Sequence, residues 1–339
     1  MKKILIILFV LLFSLLSFAQ EKESEKEKKL EMAPNYTFKV KLSTPLSKIG
    51  LKTLCGLKEP SALSKAKYKE KAAAGRRRLG VDIIIPEAWN WADHGYTVAI
   101  RDQGACGSCW AFAMNTISEA SCQTKTGIQV DFSEQYLIDC NRLHYGCNGG
   151  FFDAFDRYVD YGYVTEACRP YHAEDRHCLC ECPHEYVLSD WWPVDGDVMR
   201  PSNDEIKQAI LQYGPVCCGV YANDYFMYYD NGVFNYHTNG SPNHAVVLYG
   251  WDDAQECWLL QNSWGTGWGE NGTMRIKYDV CYIGTWATYV TAIRQENREP
   301  DDDCEGGNGG GDSCEYFSSS TMMFLGLLVM GVCLIRRYD

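Results

Sequence analysis

The chain is 339 residues long and 46% hydrophobic, with 32 Lys+Arg against 44 Asp+Glu, a formal net charge of −12. That length is ample for a buried core, and an acidic chain without a basic stripe offers nucleic acid no surface to bind. Its 17 cysteines fit an oxidising compartment, which favours disulfides over metal clusters.

Residues 1–19 read as a secretory signal: Lys2-Lys3, an apolar run from Ile4 to Leu16, then Ser17-Phe18-Ala19. The alternative, a membrane anchor, is disfavoured because the run is short for a span. Residues 20–78 carry 16 Lys+Arg and 7 Asp+Glu, whereas 79–339 carry 14 and 37. Opposite charges on the two parts suggest that 20–82 is a basic propeptide docked on an acidic remainder, with a solvated linker as the alternative. Arg76-Arg77-Arg78 is a candidate processing site or a plain basic loop. Cys55 is the sole cysteine before Cys106. A disulfide from Cys55 to Cys109 would lock the segment in place until thiol exchange; otherwise Cys55 is free or paired elsewhere.

The stretch Gln103-Gly104-Ala105-Cys106-Gly107-Ser108-Cys109-Trp110 carries the chemistry. Ser108 is a good N-cap for a helix starting at Cys109, and the partial positive charge of a helix N-terminus favours a thiolate there. Gln103 can turn its side-chain amide toward an oxyanion formed beside that sulfur. Further on, Cys168 to Cys182 is rich in cysteine and, with His172, His177 and His184, could hold zinc. The oxidising compartment and the alternate-residue cysteine spacing favour disulfides instead. Ser202-Asn203-Asp204-Glu205 has capping-box spacing before a helix over 206–213 that ends at Gly214-Pro215. Residues 246–251, 257–261, 274–278 and 287–293 have strand composition between Gly, Asn and Asp turns. His244 and Asn262 lie 135 and 153 residues after Cys109.

In these motifs, their order and their spacing, the chain resembles the papain (cathepsin) family of cysteine peptidases from about Ile85 to Ile293. The resemblance implies an α+β, papain-like two-lobed fold over 83–294, one lobe helical and the other β-barrel-like. It implies Cys109 as nucleophile, His244 as acid/base, Asn262 as the group orienting His244, and Gln103 with the Cys109 backbone as oxyanion donors. Trp264 would shield the His244–Asn262 contact. Gly149, Gly150, Phe151, Phe152 and Ala245 would line the substrate cleft. Disulfides Cys106–Cys147 and Cys140–Cys178 follow by resemblance, with Cys168 paired to Cys180 or Cys182. Substrates would be proteins or peptides, with no cofactor and no metal.

The chain departs from the family in two respects. The interspersed motif of many helical prosegments is absent, which leaves the inhibitory geometry open. The cysteine-rich insert is more similar to cathepsin X than to papain. Yet there is no insertion between Gln103 and Cys109, and no adjacent histidine pair, so the unblocked cleft favours an endopeptidase. An exopeptidase stays open through His172, His177 or His184, as do a peptide ligase and an inactive surface binding protein.

After the enzyme, 295–316 is an acidic, glycine-rich linker, 317–335 an apolar anchor or sorting segment, and 336–339 a short tail headed by Arg336-Arg337. The reading is an exported enzyme held at the cell surface by its C-terminal segment; a hydrophobic tail folded back on the enzyme is the alternative.

Overall fold

The computed structural model describes residues 36–298 except 43, 76–82, 98, 180–181 and 196–199. The signal reading of 1–19, the tail from 299 onward, Arg76-Arg77-Arg78 and Cys180 lie outside the described residues. Among those described, no helix is long and apolar enough to cross a membrane.

The described chain begins with strand β1 (Phe38–Val40) and helices α1 (Leu51–Leu54) and α2 (Ala62–Gly75), which all lie before the motif-bearing region. After β2 (Ala88–Asn90), helix α3 (Cys109–Thr126) starts at the expected cysteine and stops at Gly127, whose φ of +74° is costly for other residues. Nearly every side chain from Cys109 to Cys122 is buried, because α3 is packed against elements on all sides. Ser108 precedes it but makes no side-chain cap bond. Its hydroxyl instead shares a 2.7 Å hydrogen bond with Tyr171, so a tertiary contact overrides local capping. Helices α4 (Glu134–Cys140) and α5 (Asp156–Asp160) complete the first lobe, with β3 (His184–Leu188) and β4 (Trp191–Pro193) following.

Helix α6 (Asn203–Tyr213) has the reciprocal capping box, Glu205 N–H donating to Ser202 Oγ at 3.3 Å and Ser202 N–H to Glu205 Oε2 at 2.8 Å. Then come β5 (Val216–Val220), α7 (Asp224–Met227), β6 (Tyr229–Phe234), β7 (His244–Asp252), β8 (Cys257–Gln261), β9 (Thr273–Lys277), β10 (Thr285–Val290) and β11 (Ile293–Arg298). One sheet runs in the order β1-β6-β9-β8-β7-β5-β10-β4, with β2 added beside β7, and β11 pairs with β3 separately. The run expected as one strand over 287–293 is split between β10 and β11.

Two apolar clusters give the two lobes of an α+β fold. One gathers Trp110, Met114, Phe132, Phe151 and Tyr158 around α3, and the other gathers Ile206, Phe226, Trp258, Trp268 and Ile276 around the sheet. The adjacent Cys217 and Cys218 of β5 fall one in each cluster, as alternate strand residues must. They are therefore directed apart, and both are free thiols.

Candidate active site

Strand β7 pairs with β5 and β8, and this places its first residue, His244, at the junction of the two clusters. His244 and Cys109 are fully buried, and the Ala245 N–H donates to Cys109 Sγ at 3.4 Å. His244 Nε2 is 2.8 Å from Asn262 Oδ1, and the Trp264 ring lies over the imidazole with centroids 4.5 Å apart. Asn262 Oδ1 also accepts the Ser263 N–H at 2.8 Å. Trp264 is itself buried, so water is kept from this contact.

The Gln103 side chain is aimed by a residue the sequence reading passed over. Ser263 Oγ donates to Gln103 Oε1 at 2.7 Å, which turns Nε2 the other way. Nε2 then donates to the Leu54 and Cys106 carbonyls at 2.9 and 2.7 Å. Tyr171 is a second such residue, donating to the Gln103 backbone carbonyl at 2.7 Å from the start of the cysteine-rich insert.

The cleft is filled by the chain's own N-terminal segment. Gly56 N–H donates to Cys109 Sγ at 3.3 Å, Gly150 N–H to the Gly56 carbonyl at 2.9 Å, and Lys58 N–H to the Gly150 carbonyl at 3.0 Å. Opposite, Leu57 N–H donates to the Asn243 carbonyl at 2.9 Å. Leu57 and Gly150 form a parallel bridge. A Cβ on Gly149 would stand 2.4 Å from the Gly56 carbonyl oxygen, so that glycine does admit a backbone. Gly150 is different: its missing side chain makes room for the Trp110 ring, 2.5 Å from where a Cβ would be. The Leu57 side chain reaches the bare backbone of Gly219, where a Cβ would be 2.9 Å away. Phe151 and Phe152 are wholly buried; Phe151 packs between a tilted Tyr68 ring of α2 at 5.1 Å and the edge-on Trp286 ring at 5.3 Å.

Electrostatically, the covered site runs opposite to the thiolate expected from a helix N-terminus. Burial pushes the Cys109 thiol up to about 11 despite the amides of Ala245, Gly56, Trp110 and Leu57, and burial lowers His244 to about 4 despite Asn262 and the Leu54 backbone. Taking both groups out of water outweighs the helix field, so the resting pair is neutral.

Disulfides join Cys106 to Cys147, Cys140 to Cys178 and Cys168 to Cys182. The first ties the loop before Cys109 to the loop bearing Gly149 and Gly150. Cys55 and Cys109 are both free thiols, so the covalent lock considered from the sequence is not formed. Among the described residues no group of His, Cys, Asp and Glu side chains has the makings of a metal site. Of the histidines in or beside the insert, His184 is buried with Nδ1 2.9 Å from the Tyr161 carbonyl, while His172 and His177 are exposed.

At the junction of the helical and sheet lobes, a buried cysteine at a helix start thus lies against the strand whose first residue is a histidine held by an asparagine. The chain belongs to the papain family of cysteine proteases, whose family model matches residues 85–291. Oryzain beta chain of Oryza sativa subsp. japonica is 35% identical over 242 residues, covering 67% of this chain; this chain spans 51% of that relative's length. Among solved structures, procathepsin L 3 of the Tenebrio molitor larval midgut superposes with a TM-score of 0.62 at 25% identity, over 80% of this chain and 87% of that one. The bromelain protease of Ananas comosus, solved with an inhibitor, has a TM-score of 0.56 at 32% identity, over 61% of this chain and 99% of its own.

Proposed function

We propose that the chain is the latent precursor of an exported cysteine endopeptidase, in which residues 20–82 are the removable propeptide and Cys109, His244, Asn262 and Gln103 are the catalytic set. The observation that carries this reading is the backbone that leaves α1 at Leu54 and runs extended from Cys55 to Lys58 across Cys109. Its Leu54 carbonyl is on the Gln103 amide and its Gly56 and Lys58 backbones pair with Gly150. A cleft that holds one extended peptide in this way can hold another as substrate. The match to a procathepsin extends over 80% of the chain against 61% for the bromelain complex, which supports assigning the extra N-terminal part to a propeptide.

In the mechanism, release of the segment readmits water and relieves the burial that holds Cys109 and His244 neutral. Cys109 passes its proton to His244, and the thiolate attacks the peptide carbonyl. Gln103 Nε2 and the Cys109 backbone N–H stabilise the oxyanion. His244 protonates the leaving amine, then takes a proton from water, and the resulting hydroxide equivalent cleaves the thioester. Asn262 keeps the ring in place under the Trp264 cover. The apolar floor around Leu57 favours a branched aliphatic side chain in that pocket, with Phe151, Phe152 and Ala245 among its walls. Export through residues 1–19 and retention at the cell surface through 317–335 complete the reading.

Exopeptidase action is the second reading. It draws on one contact: Ala173 of the insert lies 3.5 Å from where a Gly104 side chain would start, so the insert abuts the oxyanion loop. The decisive experiment is a cleavage profile of a mixed peptide library by the processed enzyme and by Cys109→Ala. Internal cuts that vanish in the variant support the endopeptidase. Cuts confined to one terminus transfer the assignment to the exopeptidase, and turnover retained by Cys109→Ala overturns the nucleophile.

A further inference from the structure

Four residues after the segment leaves the cleft, the chain forms α2, and the way α2 is held is out of proportion to a linker. Its inward stripe is Ser64, Tyr68, Ala72 and Gly75, one residue per turn, all buried. Ser64 Oγ donates to Asp153 Oδ2 at 2.5 Å. Tyr68 sits between Phe151 and Trp191, ring centroids 5.1 and 5.3 Å away, and its hydroxyl shares a 3.0 Å hydrogen bond with Thr288. Two lysines one turn apart flank the tyrosine. Lys67 pairs with Asp156, and Lys71 pairs with Asp190 at 2.5 Å. Lys71 Nζ also lies 4.7 and 4.8 Å from the ring centroids of Trp191 and Trp192.

The enzyme side of this contact comes from separate elements that the fold fixes independently of α2: the turn and helix carrying Asp153 and Asp156, and the strand carrying Trp191 and Trp192 with Asp190 just before it. Once α2 departs, Asp156 and Asp190 lose their lysine partners beside an aromatic floor, and Asp153 loses Ser64, while Arg142 and Arg157 line a hollow on the side of Asp153 and Asp156. Such a floor with an acidic rim selects a helix that offers an aromatic side chain between lysines, by cation–π contact and charge together.

We propose that in the processed enzyme this acidic and aromatic face is an exosite, and that its occupant is a lysine-bearing amphipathic helix of a protein substrate, of the Lys-Tyr-x-x-Lys type that α2 presents. The inference rests on the reading of 20–82 as a removable propeptide. The exosite adjoins the cleft through Phe151, so a substrate anchored there delivers its neighbouring segment to Cys109 at raised effective concentration.

The test uses the processed enzyme and a short leucine-containing peptide substrate, bare or fused at either end to the helix sequence of residues 61–75. At low ionic strength, the better of the two fusions should be cut with kcat/KM about tenfold above the bare peptide. The gain should vanish when the fused helix carries glutamate at the positions of Lys67 and Lys71. It should return when that acidic helix meets an enzyme carrying Asp156→Lys and Asp190→Lys, which also guards against misfolding of the variant enzyme. Equal rates for bare and fused substrates in both orientations would overturn the exosite. Should the bare peptide itself not be cut, the peptidase reading falls. The exosite is then decided by fluorescence anisotropy of the labelled 61–75 peptide on the processed chain, where absence of charge-dependent binding counts against it.

Discussion

The Gly56 amide donates a 3.3 Å hydrogen bond to the sulfur of Cys109, so that thiol is occupied by backbone in place of solvent. Glycine is required there: a Cβ on Gly56 would stand 1.7 Å from the Gly107 carbonyl oxygen and 2.3 Å from its carbon. Gly56→Ala must therefore lift the segment from the cleft. The unprocessed variant is expected to react with a thiol-directed alkylating agent at least about tenfold faster than the unprocessed parent, a gain that about 1.4 kcal/mol of lost docking would give. Equal rates, read by mass spectrometry at Cys109, would show that the segment does not guard the thiol.

Protonation should change on processing. With its pKa near 11, covered Cys109 is a thiolate in roughly one molecule in ten thousand at pH 7, and the neutral His244 gives it no counter-charge. Alkylation of the unprocessed chain should rise steadily up to about pH 11. After processing, the rate should already be high at pH 6, because hydration and an imidazolium neighbour both favour the thiolate. The pH profile of iodoacetamide labelling in the two forms checks this, and superimposable profiles would contradict it.

Ser263 should matter through Gln103. Removing the amide donor in Gln103→Ala is expected to lower kcat about 100- to 1000-fold with little change in KM. Ser263→Ala leaves the amide in place but free to rotate, so a smaller loss is expected, roughly tenfold, again in kcat. A Ser263→Ala effect confined to KM would instead indicate a role in binding.

A buried charge cluster governs stability. Arg101 pairs with Glu119 and Asp131 at 2.8 Å, with Glu134 close by at 3.8 Å. Burial raises Glu119 to about 8 and raises Glu134 as well, with Arg101 opposing both shifts. A carboxyl raised above its unfolded value of about 4.3 lends stability that is complete below that pH and is lost as pH climbs through the folded value. The unfolding midpoint should thus fall between about pH 4.5 and 8, and Glu119→Gln should flatten the decline. Arg101→Met removes the charge that opposes both shifts, so it should raise the two carboxyls further and carry the decline to higher pH, as read by chemical denaturation across the same pH range.

Much of this was legible in the sequence because the informative residues announce themselves locally. The capping box of Ser202 and Glu205 and the strand composition of β7 to β9 between Gly, Asn and Asp turns are such signals, and long-range motif spacing singled out Cys109, His244 and Asn262. What was not legible depends on residues meeting across the fold. Ser108 looks like a cap but is taken by Tyr171 from the insert. Ser263 stands beside Asn262, yet nothing local says that its hydroxyl aims Gln103, 160 positions away. The neutral state of Cys109 was hidden for the same reason, since a helix N-terminus is a local feature whereas burial by Leu54 to Leu57 is not. Polar lysine spacing in α2 read only as composition until Asp156, Asp190 and Trp191 were seen beneath it.

Leu57 donates to Asn243 of the sheet lobe while Gly56 and Lys58 bond Gly150 of the helical lobe, so a few residues of backbone stitch the two halves together. A protein built this way carries its own jig: the spacing between the halves is set while the stitch is present, and would lose its template if the segment were removed as proposed. Unfolding the trimmed enzyme should therefore be easy to do and hard to undo.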